Sequence, residues 1–133
     1  MEFFEEGDDI LCFWRPSDYY QGWVGVLHGG IISTLIDETA GWVVTRKLQA
    51  AGMTSKLSVT YRKALTSDEV QITIKARLVE ERHHMATISV TVENARGEVA
   101  AEGEAVYFVM SEEKSREMGF TECGVEGDNL LPF

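Results

Sequence analysis

Five stretches of the chain alternate apolar and polar residues with the period of two that is typical of β-strands. One side of each stretch is apolar, as in an antiparallel sheet covered on one face only. Short breaks, "TSDE", "EERHH" and "NARGE", predict hairpin connections between the last four strands. The stretches lie at 10–14, 57–62, 70–78, 86–93 and 99–109.

Between the first and second of these strands, the spacing changes to that of a helix. On a helical wheel, the segment "GVLHGGIISTLIDETAGW" has one apolar side, and its other side is small as well as polar. Two glycines on an exposed helix face cost about 0.8–1 kcal/mol each, so we expect another backbone or a ligand to approach them closely. The small side comprises Gly30, Ser33, Thr34, Asp37 and Gly41.

The order of one strand, one helix and four strands predicts an α+β fold in which the sheet curls around the helix. We expect a single domain over 1–133, with its core at about 10–110 and an acidic tail at 111–133. The tail is expected to form a short helix near Glu112–Met118 and to be mobile elsewhere. The less favoured alternative is that its last apolar residues dock on a neighbour: Leu130, Leu131 and Phe133.

Charge and composition exclude several classes of function. The net charge of -10 argues against nucleic-acid binding, although residues 10–110 carry 11 acidic against 10 basic residues and admit an anionic small ligand. No apolar run is long enough to cross a membrane, and no signal peptide is recognised. Cys12 and Cys123 form no CxxC pair, so we expect a cytoplasmic protein without a disulfide framework.

The histidines and the carboxylates carry little chemistry when each is taken alone. An acid such as Asp37 on a helix face is more often solvated than functional. His28 is predicted to hydrogen-bond at the helix N-terminus, and His83 and His84 to be solvated in a hairpin. No metal-ligand spacing and no GxGxxG fingerprint occur, so we expect neither a metal nor a cofactor.

The combination is more informative. "HGG" with an Asp nine residues after the His, inside this order of elements, resembles the hotdog-fold acyl-CoA thioesterases of the phenylacetate-pathway branch of the 4-hydroxybenzoyl-CoA thioesterase superfamily. The resemblance covers about 10–110. It implies a sheet of five to six strands around one long central helix, hydrolysis of a coenzyme A thioester, and homodimers that can pair further into tetramers.

Thioester hydrolysis needs hydrogen-bond donors for the carbonyl oxygen and a base or a nucleophile. Gly29 and Gly30 can offer backbone N–H groups at the helix start, and Asp37 can act as base or nucleophile; the resemblance assigns the same roles. Eight residues of helix separate Gly29 from Asp37 by about 12 Å. One helix cannot bring both groups to one carbon, so the sequence predicts a homodimer with two composite sites.

Other positions follow from the resemblance or from charge. Thr54 matches a Ser/Thr that contacts the catalytic water or carboxylate in relatives, or it is an ordinary hydroxyl at a strand start. Gln21 adjoins Gly22, where some relatives carry a water-orienting Asn, and Glu38 is the reserve base. Coenzyme A phosphates need cations; the candidates at strand ends and hairpins are Arg62, Lys63, Arg77, Arg82 and Arg96.

The sequence leaves two other functions open. A non-catalytic acyl-CoA sensor is compatible with the same fold. A hotdog hydratase ranks third, because it would require the Asp before the His. The sequence does not specify the acyl group, since Trp14, Trp23 and Trp42 are as compatible with a core as with a substrate pocket.

Overall fold

The computed structural model describes residues 1–132, apart from the side chain of Asp128. Six strands form one antiparallel sheet in the order β1-β2-β4-β5-β6-β3. The elements are β1 (Glu2–Glu6), β2 (Asp9–Trp14), α1 (Gly29–Lys47), β3 (Gly52–Tyr61), β4 (Ile72–Arg82), β5 (Met85–Glu93), β6 (Val99–Val109) and α2 (Glu112–Glu117), with 3-10 turns at Asp18–Tyr20 and Gly127–Asn129.

The sheet curls around α1, which packs against β2 through β6. Small residues on the inner face of β6 let the helix approach closely: a Cβ atom on Gly103 would lie 3.0 Å from Cγ2 of Ile36. The buried side of α1 provides much of the core. This arrangement confirms the predicted α+β architecture of one long helix and a sheet of six strands. The helix residues in the core are Ile32, Leu35, Ile36, Ala40, Val43 and Val44.

The acidic N-terminal residues form a strand that the sequence pattern did not predict. Phe3 of β1 lies opposite Cys12 of β2, is buried, and packs its ring 5.5 Å from that of Trp42. An edge strand needs few inward-facing apolar residues, so the acidic residues around Phe3 left no recognisable strand pattern.

One predicted hairpin is wrong. β3 and β4 are not paired: β3 lies at the sheet edge beside β6, whereas β4 lies between β2 and β5. A short polar break shows that the chain turns, but it does not show which strands pair. The other two hairpins are confirmed, with the left-handed backbone that tight turns require at His83, His84 and Gly97.

The C-terminal tail is packed where mobility was expected. Its helix α2 is confirmed, but Cys123 and Leu131 are also buried in the core, and Leu131 N–H donates to Phe3 O at 2.8 Å. Arg46 joins the tail to β1, because it donates to Cys123 O and to the carboxylate of Glu5. Hydrogen bonds from Arg46 and then Lys47 lower the pKa of Glu5. Phe133 lies outside the described residues.

Within residues 1–132, the tail contacts the β1 edge of the sheet at Phe3 and Phe4, whereas no strand pairs with the outer edge of β3. Leu130 bridges to Phe4 on the outer side of β1, whereas β3 pairs with β6 alone. Within residues 1–132, no helix is long and apolar enough to cross a membrane.

We expect Leu131→Ala to lower the free energy of unfolding by about 2–5 kcal/mol, because it deletes a buried side chain that joins the tail to the core. Urea unfolding followed by circular dichroism measures the change. Val125→Ala, an exposed position in the same tail, is the matched control. Equal and small effects of both substitutions would contradict the docking of the tail.

Candidate active site

The start of α1 presents one unpaired backbone donor. The Nδ1 atom of His28 accepts a hydrogen bond from Gly30 N–H at 2.8 Å, so His28 caps the helix as predicted. Gly30 is therefore not the free donor that was expected. Gly29 N–H donates to no group in the part of the chain that the structure describes. It lies at the positive end of the helix dipole, where an anionic oxygen is stabilised.

Tyr61, at the end of β3, holds this helix start in place. Its hydroxyl donates to Gly29 O at 2.7 Å and lies 2.7 Å from Oγ of Ser33. A Cβ atom on Gly29 would lie 3.3 Å from the Tyr61 oxygen, so the close approach favours glycine. Tyr61 thus connects the end of β3 to Gly29, the residue that carries the unpaired N–H donor.

Two clefts meet at Gly29. The first, here called the loop cleft, has a volume of about 440 Å³ and is lined by Gly22, Trp23, Leu27, His28 and Gly29. The second, the cation cleft, has a volume of about 540 Å³. Its apolar walls are Trp23, Val26, Leu27, Ile32, Ala64 and Leu65, and it also contains Gly29, Tyr61, Arg62 and Lys63.

Asp37 lies two turns along α1 and is held by hydroxyls from two strands. Oγ1 of Thr54 donates to Asp37 Oδ1 at 2.8 Å. The Tyr107 hydroxyl lies 2.6 Å from both Oδ1 and the backbone oxygen of Asp37. Burial, followed by the hydrogen bond to Asp37, raises the pKa of Tyr107, so this phenol remains a proton donor.

The second carboxylate oxygen of Asp37 is available. No hydrogen bond to Oδ2 is made by any residue that the structure describes, and the carboxylate lines a cleft of about 340 Å³. Glu38, the reserve base, is exposed and lines the same cleft. The remaining lining residues are Gly41, Trp42, Thr45, Gly52, Thr54 and Tyr107.

A match to a known family adds to this geometry. Residues 24–101, more than half of the chain, match the model of the thioesterase superfamily. The chain belongs to the thioesterase superfamily. The match includes both Gly29 and Asp37.

Solved structures give the same fold. A hypothetical thioesterase protein from Streptococcus pneumoniae TIGR4, solved with coenzyme A, is 26% identical over 83% of this chain and 85% of its own, with a TM-score of 0.76. The smu.793 protein of Streptococcus mutans UA159, bound to acetyl CoA, is 23% identical over 83% of this chain and 88% of its own, with a TM-score of 0.74. Zebra fish thioesterase superfamily member 2 is 22% identical over 80% and 79%, with a TM-score of 0.73. The comparison with curated proteins gives no significant match.

In this member of the thioesterase superfamily, the basic residues predicted to bind phosphate groups divide into two groups. Arg62 and Lys63 lie beside Gly29 in the cation cleft. Arg77 and Arg82 line none of the three clefts. Most of the candidates have acidic partners: Arg62 pairs with Glu102 at 2.9 Å, Lys63 with Glu98 at 2.7 Å, Arg77 with Asp9 at 2.7 Å and Arg96 with Glu98 at 3.1 Å.

Glu98 has the most strongly shifted carboxyl of this group. Hydrogen bonds from Lys63 and then Asn94 lower the pKa of Glu98 to about 2. Gln21 lies in the loop before α1, where its Oε1 accepts from Gly25 N–H at 2.8 Å, and it does not line the cleft that contains Asp37. Among the side chains that the structure describes, which exclude those of Asp128 and Phe133, no three His, Cys, Asp or Glu are placed to hold a metal ion.

Sequence reasoning missed the two tyrosines. Tyr107 occurs among the inward-facing residues of the last strand, and a buried phenol needs a hydrogen-bond partner, so a polar group facing it was predictable. Its identity as Asp37 was not, because it depends on how the helix lies across the sheet. Tyr61 gave no such signal, since it is exposed at the end of an edge strand.

We expect the Tyr107 phenol to ionise above the usual value of about pH 10. Its raised pKa favours the neutral form in the folded state, so this stabilisation is complete below pH 10 and is lost as the pH rises through the folded-state pKa. The absorbance at 295 nm of the wild type minus that of Tyr107→Phe isolates the step. A midpoint at or below the one measured in urea would contradict the burial of Tyr107 and its contact with Asp37.

Proposed function

We propose that this protein hydrolyses acyl-CoA thioesters to a free acid and coenzyme A, at sites shared between two copies of the chain. The observation that carries the proposal is the presence, on one helix, of the free N–H of Gly29 and the hydroxyl-bound carboxylate of Asp37. The spacing of His28, Gly29 and Asp37 also supports the phenylacetate-pathway branch of the superfamily.

The chemistry follows from the two groups. The thioester carbonyl oxygen accepts the hydrogen bond of Gly29 N–H, which stabilises the negative charge that develops during attack. In one route, Asp37 removes a proton from the attacking water, and the tetrahedral intermediate collapses to the free acid and the coenzyme A thiolate. In the other, Asp37 attacks the carbonyl carbon and the thiolate leaves, and water then hydrolyses the acyl-Asp37 anhydride to the free acid and regenerates the carboxylate. Thr54 and Tyr107 orient the carboxylate through Oδ1, and Oδ2 is left for the reaction.

The carboxylate that acts with each Gly29 N–H comes from a second chain. Eight residues of helix place Gly29 and Asp37 about 12 Å apart, and they line different clefts. β3 offers an open edge, whereas β1 is followed by the tail. Pairing two β3 strands about a twofold axis lays the α1 helices antiparallel, which brings Gly29 of one chain toward the partner's Asp37. Further pairing of dimers into tetramers is compatible with this arrangement.

The neighbours support coenzyme A as the carrier. The Streptococcus pneumoniae protein was solved with coenzyme A, and the Streptococcus mutans protein with acetyl CoA. In this chain, Arg62 and Lys63 lie beside the proposed oxyanion donor and are the cations best placed for phosphate groups.

We expect Asp37→Asn to lower kcat/KM by at least about a hundredfold, because it removes the base or nucleophile and keeps the side-chain shape. Thiol release from acetyl-, hexanoyl- and aromatic acyl-CoA measures the effect. Glu38→Gln, which removes a carboxylate from the same cleft, is the matched control and is expected to retain activity within about threefold.

If Glu38→Gln abolished activity and Asp37→Asn retained it, Glu38 would be the base or nucleophile instead of Asp37. If the wild type binds acyl-CoA and releases no thiol from any substrate, the protein is a sensor and the proposed function fails.

Mixing two inactive chains tests the shared site. Gly29→Val blocks the oxyanion donor, and Asp37→Asn removes the carboxylate, so each homodimer is expected to be inactive. In a random mixture, half of the dimers are mixed and each has one intact site, so activity should return to about a quarter of the wild-type value. No recovery in dimers shown to be mixed by native mass spectrometry would contradict the composite site.

A further inference from the structure

The loop before α1 presents an exposed indole on a well-ordered turn. The side chains of Trp23 and Val24 are 84% and 93% exposed. Gly22 N–H donates to Val26 O at 2.8 Å, Val26 N–H donates to Trp23 O at 2.9 Å, and Gly25 has the left-handed backbone that the turn requires. Hydrogen bonds thus fix the backbone that carries an apolar ring into solvent.

The other two tryptophans are engaged by packing. The Trp14 ring lies 5.2 Å from that of Tyr20, and the Trp42 ring lies 5.5 Å from that of Phe3. Both side chains are half-buried. Trp23 is therefore the most exposed of the three tryptophans.

Trp23 lines both clefts that meet at Gly29. A thioester whose carbonyl oxygen is bound at Gly29 has two arms, the phosphate-bearing coenzyme A arm and the acyl group. The cation cleft contains Arg62 and Lys63, which match the charge of the phosphates. The loop cleft is then left for the acyl group. It is lined by no Lys, Arg, Asp or Glu, and the Nδ1 atom of its histidine already accepts from Gly30.

We propose that Trp23 is a specificity-determining residue, whose indole packs against a neutral, apolar acyl group in the loop cleft. This inference rests on the proposed function, since it takes Gly29 as the site of the carbonyl oxygen. An aromatic face gives a large apolar contact at a small cost in conformational entropy. A charged acyl terminus would find no Lys or Arg in that cleft, where the Nε2–H of His28 is the one side-chain donor besides the indole N–H, and it would lose hydration.

Acyl groups of different size and charge test the proposal through turnover. We expect Trp23→Ala to lower kcat/KM at least about tenfold for hexanoyl-CoA and less than about threefold for acetyl-CoA, with adipoyl-CoA a poor substrate of the wild type. Tyr19→Ala is the matched control, because Tyr19 is 95% exposed in the same loop and lines none of the three clefts. An equal loss for both acyl groups, or no loss, would overturn the proposal.

Fluorescence tests the same contact without turnover and separates its failure from that of the proposed function. In the Asp37→Asn background, hexanoyl-CoA is expected to shift the emission of Trp23 to shorter wavelength, and the additional substitution Trp23→Phe is expected to abolish the shift. Because Trp23 also lines the cation cleft, coenzyme A alone is the reference ligand, and it is expected to give a clearly smaller shift than hexanoyl-CoA. A shift that persists in Trp23→Phe, or that coenzyme A alone reproduces, would overturn the assignment even if hydrolysis is established.

Discussion

The rise of an α-helix, about 1.5 Å per residue, is the constraint on which this account depends. It separates the free N–H at the start of α1 from the carboxylate of Asp37 by about 12 Å, more than side-chain reach can close. The same spacing that keeps the two groups apart in one chain is suited to bringing them together in two antiparallel helices. A reaction that needs both an oxyanion donor and a carboxylate at one carbon therefore requires a second chain.

The sheet holds the two ends of this helix face at fixed positions. Tyr61 of β3 binds the helix at Gly29 O, and Tyr107 of β6 binds it at Asp37, so both residues of the proposed site are hydrogen-bonded to a strand. A β-bulge between Thr54 and Lys56 is equally important. It shifts the alternation of β3, so that Thr54 lies opposite Tyr107 on the helix-facing side.

Features with a strong local pattern were predictable from the sequence, and features that depend on distant packing were not. The apolar periodicity predicted α1 and the last three strands, and the polar group before Gly29 predicted the cap at His28. The alternation of strand residues could not predict on which face Thr54 lies. Counted from Leu57 without a bulge, it would turn Thr54 away from the helix. Its hydrogen bond to Asp37 was anticipated only by family resemblance.

The tail and the crossing of β3 to the sheet edge show the same limit. The acidic composition of residues 111–133 suggested solvation, yet two apolar residues, Cys123 and Leu131, are enough to dock it on the core. The hydrogen bond from Gly30 N–H to His28 was also not predictable, because a capping side chain can accept from any of several N–H groups in the first turn of a helix. Each of these outcomes depends on three-dimensional proximity between residues that are far apart or on a local choice among equivalent groups.

A crystal structure of the Asp37→Asn variant with a non-hydrolysable ketone analogue of hexanoyl-CoA, in which a methylene group replaces the thioester sulfur, would show directly where the carbonyl group binds. We expect the carbonyl oxygen to lie about 3 Å from Gly29 N of one chain, and the nearest residue-37 side chain to belong to the other chain. A carbonyl bound away from Gly29, or one that is nearest to the residue-37 side chain of the same chain, would contradict the composite site.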